Sequence, residues 1–216
     1  LCAAGALREL SAERVWQETA RAVMESDRPS VYFDVLQDLG GLADVFAVLT
    51  GLSPHDWTLA MTALDSAAQN GAPLPARMAV LAMAAASRVN AALEGLRAPN
   101  EVRAAMQAAA RWGETLRAAP NVSAATVVAV LDAVSAFRDG AQFASLVVAA
   151  QALANAQGRD DDLYGYWRTA RDEAATVVAR DVIGPGLQGA AVGVALGAAR
   201  QARIAAWQQQ RRPAGG

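Results

Sequence analysis

The 216 residues are 54% hydrophobic and 19% charged, with 5 Trp, 3 Tyr and 4 Phe, which is enough apolar material for one or two cores and too much for a disordered chain. Nineteen cations against 21 acids leave a formal charge of -2; a chain-wide basic field for holding nucleic acid is thereby excluded, and a local basic patch is not. All 19 cations are Arg and about a quarter of the residues are Ala, the best helix former, so the composition predicts an all-α chain.

The chain opens on Leu1-Cys2-Ala3-Ala4-Gly5, without an initiator Met or the cationic start of a secretory signal, and reads as the interior of a longer polypeptide. Cys2 is the lone cysteine and has no disulfide or metal-ligand partner, which suits a reducing, cytoplasmic compartment. The first predicted helix is capped by Ser11, carries Glu13 in its first turn, buries Val15, Trp16, Thr19 and Val23, and runs to about Met24. Pro29 opens a second, in which Val31, Tyr32, Val35, Leu36 and Leu39 form the expected buried stripe and Gly40-Gly41 the stop. A short helix covers Leu42 to about Leu49, and Ser53-Pro54 starts the next, which runs to Asn70-Gly71.

After Pro73 and Pro75, the segment from Arg77 to about Asn90 is nearly all small and apolar, the pattern of a helix buried on most sides. Pro99-Asn100 opens a helix through Arg117, and Ser123 caps one that carries Val127, Val130, Leu131, Val134 and Phe137 and ends at Gly140. Two further helices span Gln142 to Ala156 and Leu163 to about Arg180. The last, after Gly184-Pro185-Gly186, carries Val192, Leu196, Ile204 and Trp207. Runs such as Met78 to Ala86 and Ala144 to Ala150 are about half the length of a membrane span, so no membrane association is expected.

Several motifs resolve into ordinary structure. Gly184-Pro185-Gly186-Leu187-Gln188-Gly189 spells G-x-G-x-x-G, but a pyrophosphate cradle needs flanking strands and an acid about 20 residues on, whereas Asp181 is the last acid of the chain. His55-Asp56 contains the only His, too few for a phosphohydrolase metal site. Asp160-Asp161-Asp162 follow Gly158 in a polar loop, where acids of the next helix's first turn explain them better than a strand-borne metal pair. From Val182 onward the only charges are Arg200, Arg203, Arg211 and Arg212, so this segment is +4. Arg200 and Arg203 are three apart on a shared face, suited to phosphate, although an ordinary solvated helix end can carry the same charges.

The segment from Leu10-Ser11-Ala12-Glu13-Arg14-Val15-Trp16-Gln17-Glu18, followed by Pro29-Ser30-Val31-Tyr32-Phe33-Asp34-Val35-Leu36 and Gly40-Gly41-Leu42, resembles the bacterial CCA-adding enzymes, the tRNA nucleotidyltransferases. Leu96-Arg97-Ala98-Pro99-Asn100-Glu101-Val102-Arg103, Val130-Leu131-Asp132-Ala133-Val134-Ser135-Ala136-Phe137-Arg138, and Gly186-Leu187-Gln188-Gly189 with Leu196, Arg200, Arg203, Ile204 and Trp207 continue the resemblance in order along nearly the whole chain. It implies an elongated all-helical neck (1-51), body (52-119) and tail (120-216) that grip the tRNA elbow and acceptor arm. The family's catalytic head, which binds Mg and CTP or ATP through Asp-x-Asp carboxylates, lies upstream of Leu1 and would act in cis or trans, so this chain alone is expected to be inactive, with no catalytic, metal or cofactor residues.

Two further implications concern particular residues. Arg14 and Glu18 fall in the motif nearest the nucleotide site, where a structural ion pair is expected. Laying Arg77-Met78-Ala79-Val80-Leu81-Ala82-Met83-Ala84 on the helix of the family's phosphohydrolase domain puts Met83 and Ala84 where His and Asp belong, and Gly113 where a further His is expected, so the domain is degenerate. Arg200, Arg203, Arg211 and Arg212 are the implied RNA contacts. A helical interaction domain that has lost RNA is the alternative.

Overall fold

The computed structural model describes residues 10–93, 95–138, 140–182 and 188–211, except the side chain of residue 92. Among these residues the chain forms eleven α-helices joined by short turns and 3-10 segments, with no strand, as the alanine-rich composition predicts. It divides into two compact units, Leu1–Arg117 with Ala144–Asp161, and Ala118–Phe143 with Asp162–Gly216.

In the first unit, α1 (Ala12–Glu25) begins where expected, the Ser11 hydroxyl accepting the Arg14 N–H at 3.3 Å. Trp16, Thr19 and Val23 form its buried face. Thr19 donates its hydroxyl proton to the Val15 carbonyl at 2.8 Å. The 2.8 Å contact between Thr19 and the Tyr32 hydroxyl therefore has Tyr32 as donor.

α2 (Ser30–Asp38) departs from expectation. Its Val31, Val35 and Leu39 are 48%, 48% and 49% exposed, and the helix buries Ser30 and Phe33 instead. Three anchors set this rotation. The Asp65 carboxylate accepts the Ser30 N–H at 2.9 Å and its hydroxyl at 2.7 Å, Tyr32 reaches Thr19, and the Phe33 ring lies 5.5 Å from that of Phe46. Satisfying a buried Ser and a fully buried Phe outweighs the shallower burial that the Val/Leu stripe would gain.

α3 (Leu42–Val45) and a 3-10 turn lead to α4 (Pro54–Gln69), whose N-cap Ser53 accepts the Asp56 N–H at 3.1 Å. α5 (Leu74–Ala84) is buried from Ala76 to Met83, as its nearly all small and apolar pattern predicts, with Arg77 the exception in kind. It ends six residues earlier than expected. A 3-10 turn, Ala86–Arg88, intervenes before α6 (Val89–Leu93), and Arg88 crosses to the Gly51 carbonyl at 3.1 Å. α7 (Asn100–Arg117) packs on α5.

Among its described residues the unit also buries the charge of Arg77, near the start of α5. Its guanidinium donates to the carbonyls of Ala72 at 2.7 Å and Val23 at 2.6 Å, with longer bonds to Met24 and Ala68. Val23, Met24 and Ala68 belong to the last turns of α1 and α4, so the cation sits at the negative ends of two helices, where it supplies donors to end-of-helix carbonyls of α1 and adds to the Gly71 N–H already on Ala68. Desolvation holds its pKa below the usual guanidinium range.

The second unit comprises α8 (Ala124–Ala133), the first residues of α9 (Ala141–Ala156), α10 (Leu163–Ala175) and α11 (Ala190–Arg211). Ser123 caps α8, accepting the Thr126 N–H at 3.1 Å. Asp162 caps α10, accepting the Gly165 N–H at 2.7 Å; a Cβ at Gly165 would lie 2.0 Å from that carboxylate. α10 stops at Ala175, short of the expected Arg180, where the β-branched run Thr176-Val177-Val178 begins and the Thr176 hydroxyl turns back to the Glu173 carbonyl at 2.7 Å. Trp167, Ile204 and Trp207 form the core of this unit with Leu131 and Leu163.

Candidate nucleic-acid interface

The cations of α11 are arranged by the helical repeat. Arg200, Ile204, Trp207 and Arg211 recur at i, i+4, i+7 and i+11, one continuous stripe. Ile204 and Trp207 are buried, so Arg200 on the same stripe is drawn inward with them: its side chain is 15% exposed, pairs with Asp132 of α8 at 3.5 Å, and sits 3.9 Å from the centre of the Phe137 ring. Arg203 pairs with Glu173 of α10 at 2.5 Å. The expectation that these two charges are uncompensated is corrected: acids remote in sequence neutralise both, and they clamp α11 to its neighbours.

Arg211 differs. Its guanidinium lies 5.2 Å from the centre of the Trp207 ring and 5.8 Å from that of Tyr166, and the residue is exposed. The electron-rich ring faces hold the cation without cancelling its charge. Arg212 lies outside the described residues.

Beside Arg211, Gln208 donates its amide to the Val122 carbonyl at 2.9 Å and to the Tyr166 hydroxyl at 2.8 Å, fastening the end of α11 to α10 and to the turn before α8. Burial pushes the Tyr166 phenol above its ordinary pKa, against smaller opposing effects of Gln208 and Arg211. These residues frame an open groove of about 710 Å³, lined by residues 120–124, Tyr166, Ala205, Gln208, Gln209 and Arg211. The groove is not legible in the sequence, because its lining comes from three separate segments. The one available signal was Arg211 four residues after Trp207, on the same helix face.

The other candidate residues fall into structural roles. Arg14 and Glu18 are both exposed on α1, and Glu18 is engaged by Arg21 at 3.7 Å. Of the three consecutive acids, Asp162 is the α10 cap and Asp161 pairs with Arg159 at 2.7 Å. His55 is exposed in the first turn of α4. The G-x-G-x-x-G segment lies largely outside the described residues; its last member, Gly189, has φ +58° immediately before α11, a turn position that glycine takes without strain. No group of three or more His, Cys, Asp or Glu among the described residues is placed to hold a metal ion.

Met83 and Gly113, 30 residues apart in sequence, meet across the α5–α7 contact. A Cβ on Gly113 would lie 2.6 Å from Met83 Cγ. The thioether side chain therefore fills the space that any larger residue at 113 would need.

The chain is 29% identical over 197 residues, 91% of its length, to the CCA-adding enzyme of Pseudomonas putida (strain W619). The similarity to a CCA-adding enzyme extends along most of this chain. The chain spans 52% of the length of that relative. No family model matches the chain and no solved structure matches it. Among the described residues, no helix is long and apolar enough to cross a membrane.

Proposed function

We propose that this chain performs the tRNA-holding part of CCA addition, the role of the C-terminal helical region of a CCA-adding tRNA nucleotidyltransferase in maturing and repairing tRNA 3′ ends. The neck is residues 1-51, the body 52-119 and the tail 120-216. The Mg-dependent transfer from CTP and ATP belongs to a catalytic head acting in cis or trans. The observation that carries this reading is the similarity to a CCA-adding enzyme over 91% of the chain. Holding a folded RNA by its shape needs only a few positioned backbone contacts, so an overall charge of -2 is compatible with it. Arg211, stacked but exposed, is the best placed of the described tail cations, with Arg212 beside it in sequence.

The body is proposed to be a phosphohydrolase scaffold without its metal ligands. The close contact of Met83 with Gly113 supports this, because two positions assigned to lost ligands on sequence alone are neighbours in space. The rival reading, a helical interaction domain without RNA, draws support from the neutralised Arg200 and Arg203 and from the exposed Val31, Val35 and Leu39.

Fluorescence anisotropy with labelled tRNA lacking its CCA end decides between them. Expected is saturable binding, indifferent to the anticodon, that weakens with salt as about one to two phosphate contacts require, and no incorporation of CTP or ATP by this chain alone. Absence of binding to tRNA at low salt, or equal binding to a DNA duplex, favours the interaction domain.

A further inference from the structure

The groove at the end of α11 has a composition that specifies a ligand. Among the described residues that line it none is acidic, and the one formal charge is Arg211. That guanidinium is held at the rim by the rings of Trp207 and Tyr166 at 5.2 and 5.8 Å, so little side-chain entropy remains to be lost when it meets an anion. Pro120, Val122 and Ala205 give the wall flat apolar surface, and the side-chain amides of Asn121 and Gln209 add donors and acceptors of the kind that pair with base edges. Its volume of about 710 Å³ lies within the range of small-molecule sites. A cation, an apolar wall and paired amides in one open groove match a phosphate joined to a planar heterocycle.

We propose that this groove binds one nucleoside monophosphate unit, with its phosphate on Arg211 and its base against the Pro120, Val122 and Ala205 wall. The inference deepens the tRNA reading and takes its biological source from it: the unit is either an unpaired nucleotide of an RNA strand or a free mononucleotide. Arg200 and Arg203 take no part, being committed to Asp132 and Glu173.

The test uses the full chain in low salt with AMP, adenosine, inorganic phosphate, hexa-adenylate and tRNA, read by calorimetry. AMP should bind more tightly than adenosine or phosphate alone. Arg211→Gln should weaken AMP and hexa-adenylate by about tenfold, as loss of a charge-assisted pair requires, and Arg211→Lys should restore part of it. Ala205→Leu, which fills the groove without touching a charge, should weaken both ligands; should it fail to fold, the exposed Arg211 variants still decide. Hexa-adenylate binding beyond its sixfold statistical advantage over AMP assigns the site to a strand, and equal affinity per unit assigns it to free nucleotide. AMP no tighter than phosphate, or affinities unchanged by Arg211→Gln and Ala205→Leu, would overturn the proposal. Binding of AMP without tRNA would sink the tRNA reading and leave the groove standing, whereas binding of tRNA without AMP would do the reverse.

Discussion

Arg200 lies over the face of Phe137, 3.9 Å from the ring centre, while its guanidinium pairs with Asp132 at 3.5 Å. A cation held between an aromatic face and a carboxylate is a packing element of the second unit, so replacing it acts on folding before it acts on any ligand. Arg200→Glu should destabilise the unit by about 2 kcal/mol or more, because it loses the ring contact and sets a carboxylate beside Asp132. Arg211→Gln should cost less than about 0.5 kcal/mol beyond its ring contacts, as an exposed site does. Urea denaturation of both variants checks the contrast. A stable Arg200→Glu protein would return Arg200 to the set of free surface cations.

Gly113 and Met83 should be energetically coupled. Gly113→Ala places a Cβ 2.6 Å from Met83 Cγ, and overpacking of this kind costs about 1 to 3 kcal/mol. Met83→Ala alone opens a cavity and costs about 2 to 5 kcal/mol. The double variant should be more stable than the sum of the two losses by about 1 kcal/mol or more, since the added methyl enters the space that the thioether vacates. Additive losses in a double-mutant cycle would mean that the two side chains do not contest the same space.

Tyr32, partly buried, and Tyr166, buried, make stability depend on alkaline pH. Burial raises both Tyr32 and Tyr166 above the ordinary value of 10.0, so near that pH the folded chain holds phenolic protons that the unfolded chain has released. Stability should be unaffected by these groups well below pH 10.0, should fall as pH rises past it, and should be lost through the folded-state pKa values. Replacing both residues with Phe should flatten this slope in denaturation curves collected from neutral to alkaline pH. An unchanged slope would show that the phenols ionise alike in both states.

Val31, Val35 and Leu39 leave about half of their surface exposed. Val35→Glu should change the stability of the isolated chain by no more than about 0.5 kcal/mol, as expected for a free surface. Phe33→Ala, on the same helix but at a fully buried position, should cost about 3 to 5 kcal/mol. A large loss from Val35→Glu would show that the stripe is covered after all.

How much of this was legible from the sequence can be judged element by element. Ser11 and Ser123 were readable as caps and Ser53-Pro54 as a helix start, and each serine accepts an N–H of its helix's first turn, because capping depends on residues within one turn. The small, apolar run from Met78 to Met83 was enough to say that α5 is buried; the burial of Arg77 with it was not readable, since its carbonyl partners include Val23 and Met24 of α1. Periodicity also marked Ile204 and Trp207 as core, for the same local reason.

What the tertiary structure decided were the matters settled by partners distant in sequence. A helix with apolar residues on several faces can turn any of them inward, and α2 turned Phe33 inward because Asp65, Thr19 and Phe46 supplied the contacts. The charges of α11 could be counted in the sequence, but not their neutralisation, since Asp132 and Glu173 lie 68 and 30 residues from the arginines they meet. Coulombic pairing depends on distance in space, and only the packing of α8, α10 and α11 sets that distance. It left Arg211 exposed at the rim of the groove and tied Arg200 and Arg203 to the fold.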